Sequence, residues 1–380
     1  MNREYQICRR CVMDTTDQYI MFNDKGICNH CSDAIKKLDE LRFENVFTKQ
    51  KTLVEIVEKI KSEGKGKIYD CIIGLSGGVD SSYLAYIVVK EFGLRPLAVH
   101  VDNGWDSELA VQNIENIVKK LNIDLYTWVI DWEEFKDLQR AYLKASVIDI
   151  EVLSDNAIVI AIHKLLKKNN LRYFLIGYNH NAESIMPSSW LFSPKYDSLN
   201  IRSIYNKFGT GYKLKTYPLL NLFGYIQYKY FDRSRSINIL DLVPYEKEKA
   251  IQILKKELNW RDYGGKHHES KITQFYQAFI LPNKFGIDKR RAHFSSLIVS
   301  GQLSRNEALK ELEKPIYDSQ KLVDDQEYFL KKLGFTKDEF TAIMNSQPIS
   351  HFSYSSYNKL FTELGKVIKI ILVRITKSKR

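Results

Sequence analysis

Apolar runs alternate with amphipathic stretches through the centre of the chain. Ile68–Leu75 (IYDCIIGL) is a short continuous apolar run and predicts a strand. Arg95–Val101 (RPLAVHV), Leu125–Ile130 and Tyr173–Gly177 repeat the signature, and Ile237–Val243 (INILDLV) adds one more. Between them the period lengthens. Amphipathic helices are predicted over about Ser81–Phe92 and Asp155–Lys168, and a charged helix over Pro244–Leu258. Strands alternating with helices predict a parallel α/β sheet, whose ligands sit beyond the carboxyl ends of the strands. A charged helical stretch, about Leu38–Lys61, precedes the first strand and ends in the linker Gly64-Lys65-Gly66-Lys67. Beyond Leu258 the pattern is helical: Ser295–Val299, Gly301–Leu312 and Asp324–Leu333 read as helices, and Leu281–Gly286 as a loop. These shifts divide the chain into a lead-in (1–63), a sheet domain (64–245) and a helical region (246–380).

Composition narrows the partners. The chain has 380 residues, 44% hydrophobic and 27% charged, with a formal charge of +11. That is a globular composition, and the surplus suits a polyanion: nucleotide phosphates, nucleic acid or an acidic sugar. Met1–Cys11 has no apolar core, so no secretory signal is expected, and no stretch reaches the length of a membrane span. The tail carrying Lys366, Lys369, Arg374, Lys377, Lys379 and Arg380 reads as a basic helix, with an interfacial membrane contact as the alternative.

Four of the five cysteines lie in the first 31 residues. Cys8/Cys11 and Cys28/Cys31 are two C-x-x-C pairs with sixteen residues between them, the spacing of a four-thiolate zinc site. Asn23-Asp24-Lys25-Gly26 supplies a turn between the pairs. Structural zinc is the expectation and an iron–sulfur cluster the alternative. His30 is a bystander, since four thiolates complete a tetrahedron. So short a segment draws its folding energy from the metal, which makes it a clip or docking platform. The compartment implied is reducing and cytoplasmic.

The first strand runs into Ser76-Gly77-Gly78-Val79-Asp80-Ser81-Ser82 and then a helix. Strand, glycine turn and helix N-terminus make a phosphate site: backbone N–H groups approach the anion and the dipole favours it. Ser76, Ser81 and Ser82 add hydroxyls, and Asp80 is explained by Mg²⁺ bridging to the phosphates. The loop is not a Walker A sequence. SGGVDSS resembles the PP-loop of the N-type ATP pyrophosphatases, which implies ATP cleavage between the α- and β-phosphates. His100, Asp102 and Asn103 fall at a second strand end, and Gly177, Asn179, Glu183 and Ser184 at another. The resemblance implies that the segment after the second strand lies against adenosine; a strand-end core histidine is the other reading of His100.

Between Ser198 and Asp241, Lys207, Lys213, Lys215, Lys229, Arg233 and Arg235 interleave with Tyr205, Phe208, Tyr212, Tyr217, Phe223, Tyr225, Tyr228 and Tyr230. Nucleic-acid binding, a nucleotide-sugar pocket and half-buried aromatics beside solvated lysines all fit. Further on, Gly264-Gly265 opens a loop that brings Lys266, His267, His268, Glu269 and Ser270 to a helix start, suited to anion or substrate contacts. Lys289-Arg290-Arg291, followed by His293, is either a phosphate clamp or a solvated face.

CRRCVMDTT, GICNHC, LSGGVDSS, HVDNGWDSELA, IGYNHNAES, KTYPLL, ILDLVPYEKEKAI, WRDYGGKHHES and ITQFYQAFILPNKFGIDKRRAHFSSLIVSGQLSRNEAL together resemble the N-acetyl sugar amidotransferases (WbpG/PseA type) of surface-polysaccharide and flagellar-sugar biosynthesis. The resemblance covers nearly the whole chain. It implies a PP-loop ATPase fold with a zinc knuckle and a helical C-terminal region. The implied reaction turns a sugar N-acetyl group into an acetamidino group through an adenylated amide. It places Ser76, Gly77, Gly78, Val79, Asp80, Ser81 and Ser82 at pyrophosphate and Mg²⁺. Asp80, Ser81, Asp102, His267 and Glu269 become catalytic candidates. Asn179, Glu183, Ser184, Lys266, His267, Ser270, Arg290, Arg291 and His293 become substrate-side candidates. The fifth cysteine, Cys71, lies inside the first strand, so no glutaminase nucleophile is available. The family resemblance implies a two-part partner similar to the glutaminase and cyclase subunits of histidine biosynthesis. A PP-loop tRNA-modifying enzyme is the rival.

Overall fold

The computed structural model describes residues 4–43, 46–262 and 270–363. Five parallel strands form one sheet: β1 (Cys71–Gly74), β2 (Pro96–Asp102), β3 (Asp124–Val129), β4 (Tyr173–Ile176) and β5 (Arg235–Asn238), in the order β3-β2-β1-β4-β5. The register runs Ile73↔Ala98, Val99↔Tyr126, Ile73↔Leu175 and Ile176↔Asn238. The order reverses between β1 and β4, and that switch point opens a crevice at their carboxyl ends.

The helices are α1 (Asn29–Phe43), α2 (Val46–Gly64), α3 (Val79–Tyr86), α4 (Glu108–Leu121), α5 (Trp132–Lys144), α6 (Val152–Lys168), α7 (His180–Glu183), α8 (Ser198–Phe208), α9 (Leu222–Ile226), α10 (Lys247–Leu258), α11 (Lys271–Phe275), α12 (Leu281–Phe285), α13 (Arg290–Ser300), α14 (Arg305–Glu313), α15 (Ser319–Leu333) and α16 (Lys337–Asn345). Alternate strand residues face opposite layers. Cys71, Ile73 and Leu175 join Val57 and Ile60 of α2, Leu84 and Ala85 of α3, Ile117 of α4 and Leu254 of α10. Ile72, Leu97 and Val99 pack on Ile162, Leu165 and Leu166 of α6. Each such buried aliphatic side chain contributes about 1.5–3 kcal/mol. The sheet is therefore covered on both faces, as the alternating pattern implies.

Three expectations shift. INILDLV ends its strand at Asn238, because Ile239 and Leu240 are consecutive and both buried in a tight turn. A strand would send one of them to each face. Leu281–Gly286 is not a loop: a helix runs from α11 into α12, and a wide turn over Tyr276–Ile280 separates them. Pro282 follows that wide turn, where its missing N–H is tolerated. A boundary at 245 would also remove α10 from the sheet layer, yet α10 packs on α3 and α4.

The largest core lies outside the sheet. Cys8, Cys11, Cys28 and Cys31 share it with Phe135 and Tyr142 of α5, Phe275, Ala292, Phe329 and Phe340. The N-terminal segment and the C-terminal helices are thus one packed body. No helix among the described residues is long and apolar enough to cross a membrane. The basic tail beyond Glu363 lies outside the described residues, as do Lys266, His267, His268 and Glu269.

Candidate active site

β1 is buried throughout most of its length and delivers the loop 75–78 to the N-terminus of α3. Gly77 adopts φ +79°, and a Cβ there would sit 2.6 Å from the Ala110 carbonyl oxygen. Ser76 Oγ and Ser81 Oγ are 3.1 Å apart, Gly78 N–H donates to Ser76 Oγ (3.3 Å), and Ser81 Oγ donates to Gly78 O (3.2 Å). The hydroxyls therefore fix the loop's curvature. No side chain caps α3 at Gly78, so this helix start has the form that accepts an anion.

From β4, Gly177 closes on the same helix start: a Cβ would meet Asp80 C and Ser81 N at 3.1 Å. Asn179 caps α7 by accepting from Ala182 N–H (3.0 Å). Its Nδ2, Ser184 Oγ and Ser82 Oγ are buried without hydrogen-bond partners among the described residues. An orphaned buried polar atom costs about 1–3 kcal/mol. Three of them flanking one crevice mark a place built for a polar ligand, and a nucleotide with its metal fits that donor set.

The end of β2 is organised differently. His100 Nδ1 contacts Leu75 O and Nε2 contacts Asp106 Oδ2, both at 3.1 Å. Burial opposes protonation, but Asp106 outweighs it and holds the imidazole above its ordinary value. Both ring nitrogens are engaged within the chain, so His100 braces the loop. Asp102 Oδ1 accepts Gly104 N–H (2.9 Å), Asn103 Oδ1 accepts Trp105 N–H (3.2 Å), and Asn103 Nδ2 donates to Ser154 Oγ (3.0 Å). These two side chains shape the turn beside the crevice.

Arg290 and Arg291 do not form a phosphate clamp. Arg290 donates to both Asp288 oxygens and to the carbonyls of Glu311, Leu312 and Lys314, which end α14. Arg291 pairs with Asp14 (3.0 Å) and donates to Val12 O (2.9 Å). Cations at a helix N-terminus oppose its dipole, and these carboxylates offset that cost. His293 contacts Ala182 O (3.3 Å), and Ser270 bridges to Asp106, so both border the crevice loops. Glu183 lies near Tyr245 and contributes to raising its phenol.

Sequence reasoning missed the groups that hold the PP-loop from either end of α10. Tyr245 donates to Asp80, and Trp260 Nε1 donates to Gly77 O (2.8 Å). Burial and the Asp80 charge drive the Tyr245 phenol far above its ordinary value, so it stays a donor. Asn113 grips Arg261 from α4 by both its amide groups (2.8 and 2.9 Å). These contacts cross 148 to 183 residues, beyond the reach of any local pattern.

The four cysteine sulfurs are fully buried and lie within 4.8 Å of one another, with Cys8–Cys31 at 3.8 Å and Cys11–Cys28 at 3.7 Å. A tetrahedron with metal–sulfur bonds of about 2.3 Å has edges of about 3.8 Å, so the set fits a four-thiolate metal. Backbone N–H groups of Arg10, Cys11 and Cys28 point at Cys8 Sγ (3.3–3.4 Å). His30 turns away to Asp17 (2.6 Å). α13 docks this knuckle: Val12 N–H donates to Ser295 Oγ (3.2 Å), while the adjacent Ser296 Oγ accepts Ile185 N–H from the β4 side (3.0 Å). Arg305 Nε donates to the carbonyls of Cys8 (3.2 Å) and Cys11 (3.0 Å).

Residues 49–186 match the NAD synthase family model, and residues 269–369 match the LPS biosynthesis protein WbpG-like C-terminal domain. With its parallel sheet and SGGVDSS crevice, the chain is a PP-loop ATP-utilising enzyme of the amidotransferase type. The two matches together support the WbpG-type PP-loop family. An uncharacterized protein of Methanocaldococcus jannaschii is 26% identical over 317 residues, 81% of this chain and 93% of that protein. A glutamine-hydrolyzing GMP synthase of Pyrobaculum aerophilum is 36% identical over 84 residues, which span 22% of this chain and 16% of the synthase. The NH3-dependent NAD synthetase of Campylobacter jejuni is similar at 13% identity and a TM-score of 0.33, over 79% of this chain and 98% of that one.

Proposed function

We propose that this enzyme converts an N-acetyl group of a nucleotide-linked sugar into an acetamidino group, for surface-polysaccharide or flagellar-sugar biosynthesis in the cytoplasm. The observation that carries the reading is one chain joining a PP-loop crevice to a WbpG-like C-terminal domain. The amide oxygen attacks the α-phosphorus of ATP and pyrophosphate leaves. Ammonia then adds to the activated carbon, and AMP departs with the former amide oxygen. An amide oxygen is a poor leaving group and an adenylate a good one, so positioning and charge stabilisation do most of the work.

Ser76, Gly77, Gly78, Val79, Ser81 and Ser82 would cradle the phosphates, and Asp80 would hold Mg²⁺. Bound Mg²⁺ neutralises charge on the leaving pyrophosphate. Asn179, Glu183, Ser184, Ser270 and His293 would face the sugar, and Lys266, His267 and Glu269, which lie outside the described residues, are assigned to the same substrate by the family resemblance alone. Zinc on Cys8, Cys11, Cys28 and Cys31 holds the knuckle and enters no chemical step. Cys71 is wholly buried in β1, and burial pushes its thiol well up, so ammonia comes from a separate glutaminase and a channel-forming subunit.

The test is AMP and pyrophosphate release by the single chain, screened over nucleotide sugars. Release should require an N-acetyl sugar and ammonium, and glutamine should not replace ammonium. Turnover on glutamine by the pure chain, or on a tRNA and no sugar, would sink the reading.

A further inference from the structure

A cleft of ≈ 540 Å³ opens between the end of β3, α6, α8 and the loop 211–219. Lys164, Arg202, Lys213 and Lys215 line it, together with Trp128 and Tyr212. None of its described lining residues is acidic, and none of these four cations is ion-paired among the described residues. Gathering unpaired like charges around one hollow is unfavourable, and a bound anion reverses that cost. Partial burial already holds Lys164 below its ordinary value.

The loop that presents these groups is held rigidly. Glu134, 2% exposed, accepts the N–H groups of Lys215, Thr216 and Tyr217 at 2.7–3.1 Å. Asp137 accepts Thr210 N–H (3.0 Å), Thr210 Oγ1 (2.7 Å) and the Tyr205 hydroxyl (2.7 Å). Trp128 Nε1 donates to Thr216 O (3.1 Å). Two buried carboxylates thus satisfy the backbone that carries Lys213 and Lys215, and both lysines stay exposed at the cleft.

The cleft is joined to the crevice edge of the sheet. Thr216 Oγ1 accepts Asp131 N–H (2.7 Å), and the preceding Ile130 N–H donates to Asp102 O (2.9 Å). β3 lies two strand spacings, about 10 Å, from β1. Volumes of about 300–1,000 Å³ suit one small ligand, whereas a nucleic-acid strand needs a groove running across the surface.

We propose that this cleft takes the nucleoside diphosphate part of the second substrate, with its phosphates on Arg202, Lys213 and Lys215 and its base against Tyr212. The identity of that ligand rests on the nucleotide-sugar reading above; the binding itself does not. Calorimetric titration of the full chain with UDP, GDP and inorganic pyrophosphate, at saturating non-hydrolysable ATP analogue, tests it. A nucleoside diphosphate should bind with the analogue present, and more tightly than pyrophosphate. The Lys213→Ala/Lys215→Ala pair should weaken it about tenfold or more, and Tyr212→Ala should erase the advantage over pyrophosphate. Analogue affinity and melting temperature should stay unchanged. Displacement by the analogue, indifference to these substitutions, or displacement by an RNA oligonucleotide with steep salt dependence would overturn the proposal. If the substitutions abolish diphosphate binding while the wild type shows no sugar-dependent AMP release, the cleft stands and the amidine reading falls.

Discussion

Gly77 and Gly177 approach one helix terminus from opposite sides, for different reasons. Gly77 needs a positive φ and also lacks room against Ala110, whereas Gly177 needs only the room. Gly177→Ala therefore tests space without backbone strain. Its Cβ would press the Asp80–Ser81 backbone at 3.1 Å. The expected result is nucleotide affinity down about tenfold with a folding cost of about 1–3 kcal/mol. Unchanged affinity in a fluorescent-nucleotide titration would mean the two elements do not jointly shape the phosphate site. Tyr245→Phe probes Asp80, because it removes a donor and little volume. Pyrophosphate exchange should fall, and its Mg²⁺ requirement should shift; an unaltered Mg²⁺ titration would detach Tyr245 from the metal position.

At the level of elements, α13 decides more than its sequence suggests. Neighbouring serines on it serve opposite clients, Ser295 the knuckle and Ser296 the loop after β4. Stripping the metal with a chelator should therefore loosen the loop around Ile185 as well as the knuckle. Faster amide exchange at Ile185 checks this, and unchanged exchange there, with the four thiols freed for labelling, would refute the link. The strands were legible because buried parallel strands are continuous apolar runs between turns. The SGGVDSS loop was legible because a phosphate site is local: strand, glycines, helix start. INILDLV misled by length, since Asp241 must stop early to accept the His180 N–H and side chain (2.8 and 2.6 Å). Arg290 and Arg291 misled by charge alone, because Asp288 is near in sequence but Asp14 and the carbonyls of α14 are not. The clasp of Tyr245, Trp260 and Asn113 left no local trace.

Across the whole molecule, the returning segment after α16 is tied in by His351. Its ring stacks on Phe192 at 4.5 Å, contacts Asn200 Oδ1 (3.1 Å) and accepts Asp149 N–H (3.3 Å). Burial lowers its pKa to about 4, opposed by the charge of Asp149 and reinforced by Lys195. Once unfolded, the ring takes a proton near its usual value of about 6.5. Between those two values the unfolded chain binds more protons, so this contribution is complete above about pH 6.5 and is lost as pH falls toward 4. The loss is about 3 kcal/mol. Denaturant titrations from pH 7 to about 4 should show a shallower decline for His351→Gln than for the wild type; parallel declines would mean that the ring is protonated in the fold.

The knuckle's surroundings have a consequence for how the protein is made. Arg291 and Arg305 hold the backbone around Cys8, Val12 and Cys11 across 279 to 297 residues of chain. At about 5–20 residues per second, a ribosome needs roughly 15–60 s to deliver them. For that interval the four thiols are born without their final wall, open to the wrong ion or to oxidation. The time-critical stage in this protein's life is thus its own synthesis, and its yield should depend on metal supply during translation more than on metal added afterwards.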